Sequence, residues 1–123
     1  MLRVITTKSG KVAVVCLQGR VVIGETNTLR QTVQSVNDVD AVILEMGRVS
    51  TIDASGLGLL LELRAQLQAK GIELQLRNVT ELVSRVLEIT RLNSVFAVTS
   101  EAQALAANFL GRPMPAMRFA SCA

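Results

Sequence analysis

The sequence predicts a single α/β domain in which a mixed, mostly parallel sheet packs against helices. Strand-like and helix-like segments follow one another in the order β-β-α-β-α-β-α-β-α, and strands that alternate with helices after an opening hairpin indicate a largely parallel sheet. The chain has 123 residues, a length that suits one domain. No apolar run approaches the ~20 residues that cross a bilayer. We therefore expect no membrane insertion and a cytoplasmic location.

The first two strands are predicted over residues 2–7 and 11–17. Gly10 lies between them and supports a tight hairpin turn. A connection over residues 18–24 then leads to a helix that starts near Glu25 or Thr26. Apolar residues recur in that helix at helical spacing, namely Leu29, Val33 and Val36.

The stretch from Ala41 to Leu61 has three parts: an apolar run of strand length, a polar middle punctuated by glycine, and a Leu-rich end. We read it as a buried strand, a loop and the start of a helix. The helix is predicted over residues 55–70, with Gly71 as its C′ residue.

The remaining elements are shorter. A half-exposed strand is predicted over residues 72–77, and Thr80 is a candidate N-cap for the next helix. The predicted inner face of that helix consists of Leu82, Val83, Val86, Leu87 and Ile89. A turn over residues 91–94, a strand over 95–98 and a helix from Ser100 to Phe109 complete the domain, which we place at 1–110. Residues 111–123 lack periodicity, and we interpret them as a flexible tail, with a partner-docking segment as the alternative.

Composition excludes several functions. The chain has no histidine, which removes the commonest metal ligand and the usual proton carrier near neutral pH. A Ser/His/Asp hydrolase is therefore excluded, and we expect no metal and no cofactor. A net charge of +3 without a basic block, and only three aromatic residues, argue against a nucleic-acid partner.

The segment from Asp53 to Gly58 reads Asp-Ala-Ser-Gly-Leu-Gly and opens the Leu-rich helix. A helix cannot satisfy the N–H groups of its own first turn, so Ser55 would stand where a phosphate is favoured. In the alternative interpretation, Ser55 or Asp53 is an N-cap and the glycines ease helix packing. The two glycines also lack the third glycine of a dinucleotide fingerprint, which makes an enzyme the least favoured class.

This six-residue segment resembles the signature of the STAS domain, in particular that of the bacterial anti-sigma factor antagonists. There the loop reads Asp-Ser-Ser-Gly-Leu-Gly, and its second Ser, which matches Ser55, accepts a phosphate from a partner serine kinase that is also the anti-sigma factor. The resemblance covers roughly residues 3 to 110 in the order of elements. It implies a STAS-like fold and a non-enzymatic partner switch that binds when Ser55 is unphosphorylated and releases when it is phosphorylated.

One departure concerns the connection after the second strand. The family carries Gly-Glu-Leu-Asp where this chain has Gly19-Arg20-Val21-Val22, so Arg20 and Val22 replace an acidic pair. The resemblance implies partner contacts at Asp53, Ala54, Gly56, Leu57 and Gly58, with Arg20 and Val22 alongside. Two alternatives remain open, namely an accessory subunit of a membrane transport ATPase or signalling complex without a phospho-switch, and a homodimer built on the helix after Ser55.

Overall fold

The computed structural model describes residues 2–99. Its strands are β1 (Arg3–Ser9), β2 (Val12–Val21), β3 (Ala41–Ile52), β4 (Glu73–Arg77) and β5 (Ala97–Thr99), and its α-helices are α1 (Asn27–Gln34), α2 (Ala54–Ala69) and α3 (Glu81–Ile89). The predicted element order is confirmed as far as the last strand. The helix predicted from Ser100 to Phe109 and the tail over 111–123 lie outside the described residues.

The sheet has the strand order β1-β2-β3-β4-β5. β1 and β2 are antiparallel, and the other three pairs of neighbours are parallel, which confirms a mixed, mostly parallel sheet. Strands that follow one another in order, joined by right-handed crossovers, place their connecting helices on one face of the sheet. On that helix face one buried cluster joins the sheet to all three helices. It includes Ala13, Val15, Leu17, Val42, Leu44, Leu74 and Leu76 of the strands, with Leu29, Leu60, Leu63 and Leu87 of the helices.

β2 and β3 are both longer than predicted. The segments predicted as a connection and a loop pair with each other in the sheet, with Gln18 opposite Arg48, Gly19 opposite Val49 and Val21 opposite Ile52. Two register shifts interrupt this pairing. Such bulges break the alternation of inward and outward side chains, which is why the prediction of a loop between this strand and the helix was wrong.

The ends of α2 follow from the local sequence. β3 ends at Ile52 and α2 begins at Ala54, so Asp53 alone separates strand from helix. At the other end Gly71 has a φ of +75°, a conformation that favours glycine. Its N–H donates to the Gln68 carbonyl at 3.0 Å, and the Ile72 N–H donates to the Leu67 carbonyl at 2.8 Å. This pair of bonds is a Schellman motif and confirms Gly71 as the C′ residue.

For α3 the predicted cap is right and the predicted inner face is partly wrong. The Thr80 hydroxyl accepts the Val83 N–H at 3.4 Å. Val83 and Leu87 are buried, but Leu82 and Ile89 are 50 % and 82 % exposed. The buried stripe of this short helix is narrower than its apolar composition suggests.

Candidate functional site

Asp53 ties three segments together at the end of β3. Its N–H donates to the Val21 carbonyl at 3.3 Å. Its carboxylate accepts the Ile23 N–H at 3.0 Å through Oδ2 and the Gly56 N–H at 2.9 Å through Oδ1. The bond from Ile23, followed by that from Gly56, lowers the pKa of Asp53 below its ordinary value of 3.8. Asp53 is therefore ionised at neutral pH, and it is the N-cap of α2.

The two glycines of the motif have different environments. Gly56 is buried, and a Cβ there would overlap the Val21 carbonyl oxygen and lie 2.7 Å from Ile52 Cγ1. Gly58 is exposed, and a Cβ there would meet nothing within 4 Å. Gly56 thus allows α2 to approach the ends of β2 and β3, whereas packing does not require glycine at position 58.

Ser55 is the second residue of α2, and both it and Ala54 are exposed. Because Asp53 provides the cap, Ser55 is not the N-cap. The alternative interpretation, in which these residues only cap the helix and ease its packing, therefore holds for Asp53 and Gly56 alone. Asp53 also occupies the Gly56 N–H, one of the donors that we expected to hold a phosphate. Leu57 is only 8 % exposed, so its side chain supports the core and offers little surface to a partner.

The two departures from the family pattern lie next to this helix start. Arg20 belongs to β2 opposite Thr51, and its Nη2 is 3.7 Å from Glu25 Oε2. Val22 is half-buried, and its carbonyl accepts the Glu25 N–H at 3.0 Å. Glu25 therefore places a carboxylate beside Arg20, which offsets the positive charge of its guanidinium.

Sequence reasoning missed Ile23. Its side chain is 76 % exposed, while its N–H is held by Asp53. The sequence signal that could have identified Ile23 is an apolar residue directly before a glycine in the predicted connection. In the structure Gly24 has a φ of +86°, which marks a turn. We call the exposed residues Arg20, Ile23, Ala54, Ser55 and Gly58 the motif surface.

The motif surface lies apart from the concavity beside α2. Within residues 2–99 no three His, Cys, Asp or Glu residues are placed to hold a metal ion. None of its residues lines the concavity of about 370 Å³ at the far end of α2, which is bounded by Arg64, Gln68 and Glu73 among others. Over the same part of the chain, no helix is long and apolar enough to cross a membrane.

Comparison with known proteins gives one family and several similar folds. The STAS domain family model matches residues 3–105. An anti-sigma factor antagonist from Mycobacterium paratuberculosis superposes with a TM-score of 0.76 at 19% identity, covering 87% of this chain and 93% of that one. The Bacillus anti-sigma factor antagonist SpoIIAA has been solved in unphosphorylated and phosphorylated forms. The unphosphorylated form superposes with a TM-score of 0.70 at 20% identity, covering 89% of this chain and 96% of that one. A sulfate transporter family protein from Wolinella succinogenes superposes with a TM-score of 0.70 at 24% identity, covering 81% of this chain and 86% of that one.

Proposed function

The chain belongs to the STAS domain family, and from this premise we propose that it is an anti-sigma factor antagonist that works as a phosphorylation-controlled partner switch. Unphosphorylated at Ser55, it binds an anti-sigma factor that is also a serine kinase. Phosphorylated, it releases that partner. One observation carries the proposal: Ser55 is exposed, while neighbouring Asp53, Gly56 and Leu57 serve the fold.

The contacts of Asp53 suggest how a phosphate would act. Phosphorylation adds about −1.5 to −2 charges, and the positive end of the α2 dipole tolerates negative charge at this position. The Asp53 carboxylate, however, already accepts the Gly56 N–H and repels a second anion. A phosphate on Ser55 would therefore extend into the interface, where charge repulsion and desolvation weaken binding while the domain stays folded.

The proposal is tested with the anti-sigma factor kinases of the same organism, purified with nucleotide, by isothermal titration calorimetry. We expect Ser55→Ala to bind like the unmodified protein and Ser55→Glu to bind ~100-fold more weakly, as truncating or opposing a central interface contact does. Gln68→Glu is the matched control, because Gln68 is exposed at the other end of the same helix and its added charge should leave the affinity unchanged. Equal affinity of Ser55→Glu and Ser55→Ala would count against the switch.

A second candidate keeps the fold and drops the switch. In it the domain is an accessory subunit of a membrane transport ATPase, and the motif surface is a constitutive docking site. The Arg20 and Glu25 ion pair, where the antagonist signature has an acidic pair, favours this reading, as does the fold shared with the sulfate transporter family protein. Capture of a transport ATPase by the unmodified protein, with no binding to any anti-sigma factor kinase, would select this candidate.

A further inference from the structure

The sheet has two edge strands, and they differ in how they are protected from further pairing. β5 at one edge has only three residues. β1 at the other edge has seven, Arg3–Ser9, and all seven pair with β2 without a register shift. Proteins protect edge strands by short length, proline, bulges or charged side chains. β1 is long and regular, has no proline, and carries its two charged residues, Arg3 and Lys8, near its ends.

The hairpin turn determines which backbone groups of β1 are directed to this open edge. Two residues alone join the paired residues Ser9 and Val12. The first of them, Gly10, has a φ of +60°, as a type II′ turn requires. In such a hairpin the residues on either side of the turn exchange both of their backbone hydrogen bonds, and bonded and non-bonded pairs alternate from there along the strands.

This alternation directs the backbone groups of Val4, Thr6 and Lys8 away from β2 and to the open edge. Within residues 2–99 these three make no backbone hydrogen bond to a turn, a loop or a helix. Thr6 and Lys8 are exposed, and Val4 is half-buried. Leu2 continues the series, but its N–H donates to the Glu25 carboxylate. The open edge therefore presents three N–H groups and three carbonyls, one of each at every second residue.

We propose that a second copy of this chain occupies the open edge, so that the β1 strands of two molecules pair antiparallel about a two-fold axis at Thr6. In this register Thr6 lies opposite the partner's Thr6, and Val4 lies opposite the partner's Lys8. Each of these pairs is of the kind that exchanges two backbone hydrogen bonds. The pairing therefore uses every backbone group that β1 presents at its open edge.

Other positions of the axis use less of the edge. An axis at Ile5 would place Lys8 opposite the partner's Leu2, whose N–H is already bound. An axis at Thr7 would place Val4 opposite the partner's Gly10, which belongs to the turn. Thr6 is therefore the axis that the free backbone groups favour.

The side chains suit the same register. Thr6 opposite the partner's Thr6 is a favourable cross-strand pair, and Ile5, which is 45 % exposed, would lie opposite the partner's Thr7, so that two β-branched side chains meet on a pleated surface. The charged side chains are not opposed: Lys8 lies opposite Val4, and Arg3 lies opposite Ser9. Arg3 and Lys8 also project from opposite faces of the sheet, because they are an odd number of residues apart.

This dimer leaves the motif surface free. None of the residues of the motif surface belongs to β1, whereas the homodimer considered from the sequence used the helix after Ser55. Each dimer would present two motif surfaces and could bind two partner molecules. Dimerisation is measured without an anti-sigma factor, so its outcome is independent of the proposed function.

The test is sedimentation equilibrium of the full chain from ~1 μM to ~1 mM, a wide range because one pair of strands forms a small interface and small interfaces are weak. We expect the mass to rise from that of the monomer towards twice that value. Thr6→Pro should weaken dimerisation at least ~10-fold, because it removes the central N–H and leaves the partner's carbonyl without a donor. The fold should tolerate it, since proline is accepted on an edge strand where the N–H is directed outward.

Thr6→Val is the matched control, because it keeps the N–H and a β-branched side chain and should dimerise like the unmodified protein. Far-UV circular dichroism checks that each variant is folded. A protein that stays monomeric over the whole concentration range, or equal dimerisation of Thr6→Pro and Thr6→Val, would overturn the proposal.

Two double variants test the register and replace Thr6→Pro if that protein does not fold. Ile5→Lys with Thr7→Lys places like charges opposite each other on both sides of the axis, whereas Ile5→Lys with Thr7→Glu places opposite charges there. We expect the first pair to dimerise at least ~10-fold more weakly than the second, since like charges directly opposite destabilise a sheet. Equal dimerisation of the two double variants would rule out the axis at Thr6 and with it the proposed dimer.

Discussion

The residues that face inward and those that face outward in the motif from Asp53 to Gly58 have separate roles. Gly56 packs against the ends of β2 and β3, and Asp53 caps α2. Ala54, Ser55 and Gly58 are exposed, and a Cβ at Gly58 would meet nothing within 4 Å. A single helical turn thus carries both the scaffold and the contact surface, so a change to one side can leave the other intact.

Gly56→Ala is expected to have the largest effect on stability. The added methyl overlaps the Val21 carbonyl, so α2 must shift away from the sheet, and overpacking of this kind costs about 1–3 kcal/mol. Urea unfolding followed by circular dichroism measures the loss. Gly58→Ala is the matched control, and its stability should stay the same or rise by up to about 1 kcal/mol, since alanine favours helix over glycine. A destabilised Gly58→Ala would erase the contrast between the two glycines.

Ile23→Asp should affect binding and leave stability unchanged. Ile23 is exposed beside Asp53, and loss of an apolar interface anchor typically costs about 2 kcal/mol of binding free energy. Titration calorimetry with the anti-sigma factor measures the affinity, and thermal melting measures the stability. Ile89→Asp, a charge at an equally exposed isoleucine of α3, should bind normally. Normal binding by Ile23→Asp would remove Ile23 from the motif surface.

Asp53→Asn should lower the melting temperature at neutral pH by weakening the cap. Because folding lowers the pKa of Asp53 below 3.8, its contribution is present above that value and is lost as pH falls through the lower folded pKa. The difference between the two proteins should therefore shrink below about pH 4. Thermal melts from pH 7 to pH 2 test this, and a difference that grows on acidification would contradict the assignment of Asp53 as an ionised cap.

Arg91→Gly should have the smallest effect, in the stabilising direction. Arg91 has a φ of +60°, a left-handed conformation that costs a side-chain-bearing residue more than glycine. We expect a gain of roughly 0.5 kcal/mol after the entropy of the unfolded glycine is subtracted. Urea unfolding measures it, with Asn93→Gly in the following 3₁₀ turn (Leu92–Ser94) as the control that should gain nothing. The result shows whether the left-handed backbone at position 91 favours glycine. At Gly56, by contrast, it is close packing that requires glycine.

The sequence was sufficient to predict the order of elements as far as β5 and the position of the motif, because these follow from periodicity and from local signals such as Thr80 and Gly71. It was insufficient for the length of β3. The buried residues Met46, Val49 and Ile52 are three apart, a spacing that arises from bulges and departs from the period of two that marks a strand. The cap could be narrowed only to Asp53 or Ser55, since the choice depends on where the helix begins.

Two further features require tertiary structure. The role of Ile23 follows from its hydrogen bond to Asp53, 30 residues away. The burial of Arg77 beside Glu45 depends on the register of β3 and β4, which no local pattern encodes. In both cases the information lies in contacts between residues that are about 30 positions apart in the sequence.

Intact mass spectrometry of the protein isolated from its native cells, with and without phosphatase and with the phosphate mapped to its residue, tests the central claim most directly. The partner-switch account predicts a phosphatase-sensitive phosphate on Ser55 in some growth or stress conditions, with exposed Ser50 unmodified as an internal control. An unmodified Ser55 under every condition, or a phosphate confined to another residue, would contradict it.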